Sequence, residues 1–298
     1  MYETPNHRGS PTKTIVVVAG TLLLVLVAIA ASIYLPYRQE RQVEQTVLAL
    51  GGDVSWSYRR PVLIPRSVGN RIHVLNQIMG IDLEKSSVTD AQLRCLSERI
   101  HLDWLYLGST RISDAGLEHL KGLTNLRELG LRQTAITDAG LEQLKGLPNL
   151  EGLGLTQTAI TDAGLEHLKG LTNLAGLELT RTQISDAGLE HLKGLTKFEW
   201  LALRQTAITD TGLEHLKGLT KLERLYLVET AITDAGLEHL KALTHLRHLD
   251  LSHTAITDAG LEHLKGLTRL EKLNLSETAV TPDGRAELQK ALPRLVIE

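Results

Sequence analysis

Six of the twelve histidines, His119, His167, His191, His215, His239 and His263, recur at one position of a repeating pattern, with Gln143 and Cys95 at the equivalent sites. Imidazole is a common zinc ligand, but zinc holds its ligands at about 2 Å whereas packed helices lie roughly 8 to 10 Å apart. Successive histidines therefore do not share one ion, and the row reads as a solvated face copied by duplication, with Glu118 and Lys121 as i,i+3 surface partners. His248, Asp250 and Ser252 supply the residue types of a nucleophilic relay. Two residues apart on a strand is roughly 6.5 Å, and His to Ser about 13 Å, against the roughly 2.6 to 3.2 Å that a relay needs. Glu229, His253 and Glu277 fall at one position in three successive copies. On strands about 4.8 Å apart they either meet at a divalent ion or stand as paired charges on a solvated rim, and the rim is the simpler reading. The remaining chemistry is recognition. Trp104, Tyr106, Trp200 and Tyr226, with Arg127, Arg132, Arg204 and Arg224, are the types from which buried interface anchors are made, and these eight are the expected ligand-binding residues. No catalytic residue, metal ligand or cofactor is assigned.

A 24-residue period must position these side chains. Copies start at Leu102, Leu126, Leu150, Leu174, Phe198, Leu222, Leu246 and Leu270, after a degenerate copy from Ile78, and together they span 221 of the 298 residues. The shared pattern is LxxLxLxxTxITDAGLEHLKGLTN, apolar at positions 1, 4, 6, 11, 16, 19 and 22. LxxLxL has the period of a short strand, with positions 4 and 6 facing the core and 3, 5 and 7 facing out. Every Trp and Tyr from Leu102 onward occupies position 3 or 5. Strand propensity favours aromatics there too, but a solvent-facing tryptophan also offers rigid contact area. Trp200, Arg204, Arg224 and Tyr226 form one expected cluster; Trp104, Tyr106, Arg127 and Arg132 form a second, roughly 20 Å away at about 4.8 Å per strand.

Threonine at position 9, Thr110 through Thr278, is expected to satisfy backbone groups of neighbouring turns. ITDAGLEHLKGL then predicts a short helix, opened by Thr-Asp as an N-cap and closed at a glycine such as Gly122 or Gly266 in left-handed geometry. Ala242 at that glycine position predicts mild local strain. No single repeat buries its own apolar stripe, so the array needs capped ends. The last copy decays into a segment with Pro282, Arg285 and Pro293, and the first carries Gln92 and Cys95 off the pattern. A helix around Arg41 to Leu50 and an alternating strand, Val54, Trp56 and Tyr58, make residues 36–77 a membrane-proximal cap.

The segment LRELGLRQTAITDAGLEQLKGLPN from Leu126 resembles the leucine-rich repeat family, and ITDAGLEHLKGLT resembles bacterial members with 24-residue repeats and an N-terminal anchor. The resemblance covers residues 78–298. It departs at position 9, where threonine replaces the usual asparagine or cysteine, so the backbone ladder must be wired differently. It implies an α/β solenoid: a leucine-rich repeat horseshoe with a parallel concave sheet and short convex helices, preceded by one transmembrane helix. It implies a recognition scaffold and offers no catalytic residues to carry over. Related repeats adjoin F-box segments in ubiquitin ligases, but nothing in residues 1–77 resembles an F-box.

Residues 14–35, TIVVVAGTLLLVLVAIAASIYL, contain no charge and would span roughly 33 Å as a helix, enough for a bilayer core. Ala28, Ala30 and Ala31 offer a signal-peptide cleavage site, yet the apolar run exceeds the usual h-region, so a retained anchor is expected. Arg8 and Lys13 before it are matched by Arg38 and Arg41 after it, and the positive-inside rule gives no vote. The layout of tail, segment and large domain is that of a signal anchor, with the 1–13 tail inside and the repeats extracytoplasmic. Formal net charge is −3, from 32 basic and 35 acidic residues without a basic run, which argues against nucleic acid. The lone Cys95 excludes an intramolecular disulfide framework. The expected function is binding of a protein partner along the concave face by a single-pass membrane scaffold. The alternative is a structural envelope protein holding a glycan or cell-wall polymer by stacking on Trp104 and Trp200.

Overall fold

The computed structural model describes residues 34–35, 37–58, 76–97 and 101–298. The expected membrane segment 14–35, apart from its last two residues, lies outside them, and among the described residues no helix is long and apolar enough to cross a membrane. Among the described residues one sheet of eleven strands runs in sequence order. The strands are β1 Asp53–Tyr58, β2 Asn76–Asp82, β3 Trp104–Tyr106, β4 Glu128–Gly130, β5 Gly152–Gly154, β6 Gly176–Glu178, β7 Trp200–Ala202, β8 Arg224–Tyr226, β9 His248–Asp250, β10 Lys272–Asn274 and β11 Val296–Ile297. β1 and β2 are antiparallel, and the pairs from β2 to β11 are parallel.

The strands β3 to β10 are short because only positions 3 to 5 of a repeat hold extended pairing. Position 4, Leu105 through Leu273, is buried, and alternation then turns positions 3 and 5 to the open face. Beyond the strand the ladder continues: Leu107 N donates to Gly130 O at 2.8 Å and Ser109 N to Arg132 O at 2.7 Å. The chain achieves the second bond by turning left-handed at position 8, where Lys85, Ser109, Gln133, Gln157, Arg181, Gln205, Glu229, His253 and Glu277 all have φ between +52° and +59°. Non-glycine residues persist there, at roughly 1 kcal/mol or more of strain each, because hydrogen bonds to the next turn hold them.

Threonine at position 9 does something other than expected. Thr134 Oγ1 donates to Leu131 O and Thr182 Oγ1 to Leu179 O, each at 2.6 Å, so the hydroxyl closes its own turn rather than a neighbour's. The bond between turns is made by the ITDAG segment. In each of eight successive junctions the aspartate of one repeat accepts two bonds from the Ser or Thr at position 12 of the next. Asp162, for example, takes Ser185 N at 2.7 Å and Ser185 Oγ at 2.5 Å. The glycine at position 15 makes room: a Cβ on Gly188 would lie 2.3 Å from Asp162 Oδ1, and the same contact recurs from Gly116 to Gly284 at 2.0 to 2.4 Å. Three letters of the motif are thus one device, repeated.

Helical turns follow, typically four α-helical residues such as Asp114–Leu117 and then a 3-10 turn such as Glu118–Leu120. The expected left-handed stop at Gly122 and Gly266 is absent; among the described glycines only Gly51 has positive φ, at 83°. The chain leaves the 3-10 turn with ordinary φ, so Ala242 simply ends the turn Glu238–Ala242 and the expected strain does not arise.

The ends are closed by different means. A helix over residues 37–49 buries Val43 and Val47 against the first repeat, and Trp56 Nε1 donates to Glu44 Oε1 at 3.1 Å. At the far end the helix Pro282–Ala291 buries Leu288, and Arg285 reaches Glu298 O and Leu275 O, each at 3.1 Å. Glu40, on the first of these helices, is buried and accepts Ile78 N at 3.2 Å. Burial raises its carboxyl from the ordinary 4.5 to about 7, against the backbone bond, which lowers it. Because the folded carboxyl holds its proton more tightly than the unfolded one, native stability falls as pH rises from about 4.5 to about 7 and is level above. Glu40→Gln should therefore stabilise the chain by roughly 1 to 2 kcal/mol at pH 8 and hardly at all at pH 4.5. Denaturant midpoints at the two pH values check this, and an equal effect of the substitution at both would contradict it.

Candidate binding surface on the sheet

The open face is read most simply as two rows of side chains in register. Position 3 runs Trp104, Glu128, Gly152, Gly176, Trp200, Arg224, His248, Lys272; position 5 runs Tyr106, Gly130, Gly154, Glu178, Ala202, Tyr226, Asp250, Asn274. Four glycines therefore lie between the two groups of aromatics, and each indole rests on the glycine of the strand before it, Gly176 or Gly80. A Cβ on Gly176 would be 1.9 Å from Trp200 Cε2, and one on Gly80 would be 1.8 Å from Trp104 Cε2. Both indoles lie flat across the glycine of the preceding strand.

In the C-terminal cluster Arg204, beyond the end of β7, meets Tyr226 of β8. Arg204 Cζ stands 4.3 Å from the centroid of the Tyr226 ring, a cation–π contact, and its Nη2 is 4.0 Å from Asp250 Oδ2. Trp200 is in register with Arg224 on the next strand. Arg204 Nε is buried without a hydrogen-bond partner.

The N-terminal cluster is brought together only in part. Trp104 and Tyr106 stack with ring centroids 5.1 Å apart. Arg132 crosses Gly108 to make a two-pronged pair with Glu84, both bonds at 2.8 Å. That pair holds the Glu84 carboxyl below its ordinary range. Arg127 sits elsewhere: it is one residue before the strand, so it points to the edge of the sheet, pairs with Glu151 at 2.8 Å, and lines a groove of about 320 Å³ with Met79, His101, Asp103, Asn125 and Asn149. This half of the face is acidic. Burial, then Glu151, raises the Glu128 carboxyl, and burial with Glu128, Asp82 and Glu84 raises the Tyr106 hydroxyl.

The other constellations resolve into structure. Ser252 Oγ donates to Asp250 Oδ1 at 2.8 Å, nearer than strand spacing suggested, because the chain leaves the strand after Asp250 and folds the serine back. That bond gives the hydroxyl to a carboxylate rather than to His248. Glu229 accepts from Gln205 Nε2 at 2.6 Å in a rim of stacked polar side chains. Among the described residues no group of three or more His, Cys, Asp or Glu is placed to hold a metal ion. The histidine row is less solvated than expected: Nδ1 of His191, His215 and His239 is buried without a hydrogen-bond partner.

Comparison with known proteins agrees with this architecture. Residues 100–160 and 220–280 match the leucine rich repeat family model. A search of curated proteins found no match. Among solved structures, internalin C2 of Listeria monocytogenes is 28% identical with a TM-score of 0.56, over 68% of this chain and 82% of that one. A leucine-rich repeat protein of Leptospira interrogans is 19% identical with a TM-score of 0.53, over 70% of this chain, which spans 56% of that protein's length. In fold, the chain is a leucine-rich repeat solenoid of parallel strands and short helices.

Proposed function

We propose that this protein is a membrane-anchored recognition scaffold, tethered through residues 14–35 with its repeats extracytoplasmic, that holds a protein partner against the open face of its sheet. The observation that carries this is the group of Trp200, Arg204 and Tyr226. Flat rings and a stacked guanidinium are fixed on strands whose opposite side closes the core, so little side-chain entropy is lost on binding. Aromatics and arginine preset in this way are the types that dominate interface energetics. Leucine-rich repeat arrays characteristically serve as binding scaffolds, and each turn here offers an editable pair of outward positions.

In-cell photocrosslinking tests the reading. A photoreactive amino acid replaces Gly154, where a Cβ meets nothing nearer than 3.7 Å, or Glu214 on the helical side. Residue 154 of the full chain should yield a discrete protein adduct and residue 214 should not. An adduct from 214 with none from 154 would place the partner on the helices and refute the proposal.

A further inference from the structure

Three successive position-3 side chains on the open face, ahead of Val296 on β11, are basic residue types. Arg224, His248 and Lys272 stand in register on β8, β9 and β10. Adjacent parallel strands are about 4.8 Å apart, so Arg224 and Lys272 stand roughly 10 Å apart with the His248 imidazole between them. Opposite charges on neighbouring strands stabilise a sheet, and the sequence could interleave a carboxylate here. It does so one residue earlier, where Arg247 pairs with Glu223 at 3.7 Å and also with Glu271. The nearest acid on the face itself, Asp250, is engaged by Ser252 Oγ at 2.8 Å and faces Arg204 at 4.0 Å. Among the described residues no carboxylate lies within ion-pair distance of Arg224, His248 or Lys272. Arg224 and Lys272 are exposed, and the row continues directly from Trp200.

From this unpaired row beside a flat indole, and resting on the reading of the open face as the binding surface, we infer that the partner presents an extended acidic peptide segment that runs across β7 to β10. Carboxylates on alternate residues of an extended peptide are roughly 6.6 Å apart, so two of them fit within the row, and a neighbouring apolar side chain reaches Trp200. The face is not uniformly basic: Asp250 lies within the same strands and Glu128 and Glu178 lie on β4 and β6. A phosphate backbone, with a charge at every unit, would be repelled there. A peptide with separate carboxylates avoids them, and the acidic half of the sheet around Glu128 sets the direction in which the segment lies.

The test is fluorescence anisotropy of the full chain in detergent micelles with a labelled hexapeptide that carries glutamate at alternate positions and one leucine. Its lysine counterpart and a single-stranded oligonucleotide of equal charge serve as comparisons. The glutamate peptide should bind, the lysine peptide should not, and the oligonucleotide should bind at least tenfold more weakly. Joint Arg224→Glu and Lys272→Glu should reduce glutamate-peptide binding about tenfold or more, while Arg247→Ala, which removes an already paired charge, should change it less than about twofold. Circular dichroism establishes that each variant is folded. Oligonucleotide binding as tight as the peptide's, or peptide binding indifferent to the double reversal, would overturn the inference. Failure of the peptide to bind while residue 154 still crosslinks a partner would overturn the acidic segment alone; loss of the crosslink at 154 would instead remove the reading on which it rests.

Discussion

Gly188→Ala is expected to destabilise the solenoid by about 2 to 4 kcal/mol, although helix propensity taken alone gives the opposite sign. Gly188 lies within the helical turn Asp186–Glu190, where alanine is preferred to glycine by roughly 1 kcal/mol. The added methyl would lie 2.3 Å from Asp162 Oδ1 and 3.1 Å from Ile184 Cγ2. The carboxylate can swing away, and in doing so it gives up Ser185 N and Ser185 Oγ together. Hydrogen bonds to a charged acceptor contribute about 1.5 to 3 kcal/mol each, and the propensity gain offsets only part of that loss. Gly194→Ala is the matched control, since a Cβ there has nothing within 4 Å; it should leave stability unchanged or raise it slightly. Urea midpoints of the two variants decide the matter, and equal stabilisation by both would show that the aspartate bridge contributes little.

Much of this architecture was legible in the residues, and the failures have physical causes. Periodicity reveals which positions recur, so the strand in the repeat from Leu102 and its successors and the outward aromatics could be placed. It does not reveal which position of one turn touches which position of the next. Asp162 and Ser185 are 23 residues apart, one short of the period, and no local propensity marks that offset. Local propensity therefore assigns the aspartate to an N-cap and gives no role to the glycine two residues on. The repeat places Arg127 in the turn next to Trp104, but adjacency of repeats does not put it on the same face. A strand of three residues ends the alternation so soon that position 2 belongs to the edge of the sheet. Gly122 misled in the other direction, because a 3-10 turn leads out of the helix with ordinary φ and needs no left-handed residue. The rings of Trp104 and Trp200 could be assigned to a face, but their flat orientation depends on glycines 24 residues upstream, Gly80 and Gly176, which become meaningful only once the register is known.

Trp200→Ala tests the binding face most directly. With the partner isolated by crosslinking from residue 154, the full chain carrying Trp200→Ala should bind it about 2 kcal/mol more weakly, roughly thirtyfold in Kd, because a preset indole is lost from the centre of the surface. Tyr226→Ala should have a similar effect, since it also removes the ring beneath the Arg204 guanidinium. The thermal transition should shift little, with less than about 1 kcal/mol lost, as the indole covers Gly176 but does not enter the leucine core. Joint His167→Ala and His191→Ala on the helical side should leave affinity unchanged. Affinity unaltered by Trp200→Ala and Tyr226→Ala, but abolished by the histidine pair, would contradict recognition through the sheet and make the helical face the site.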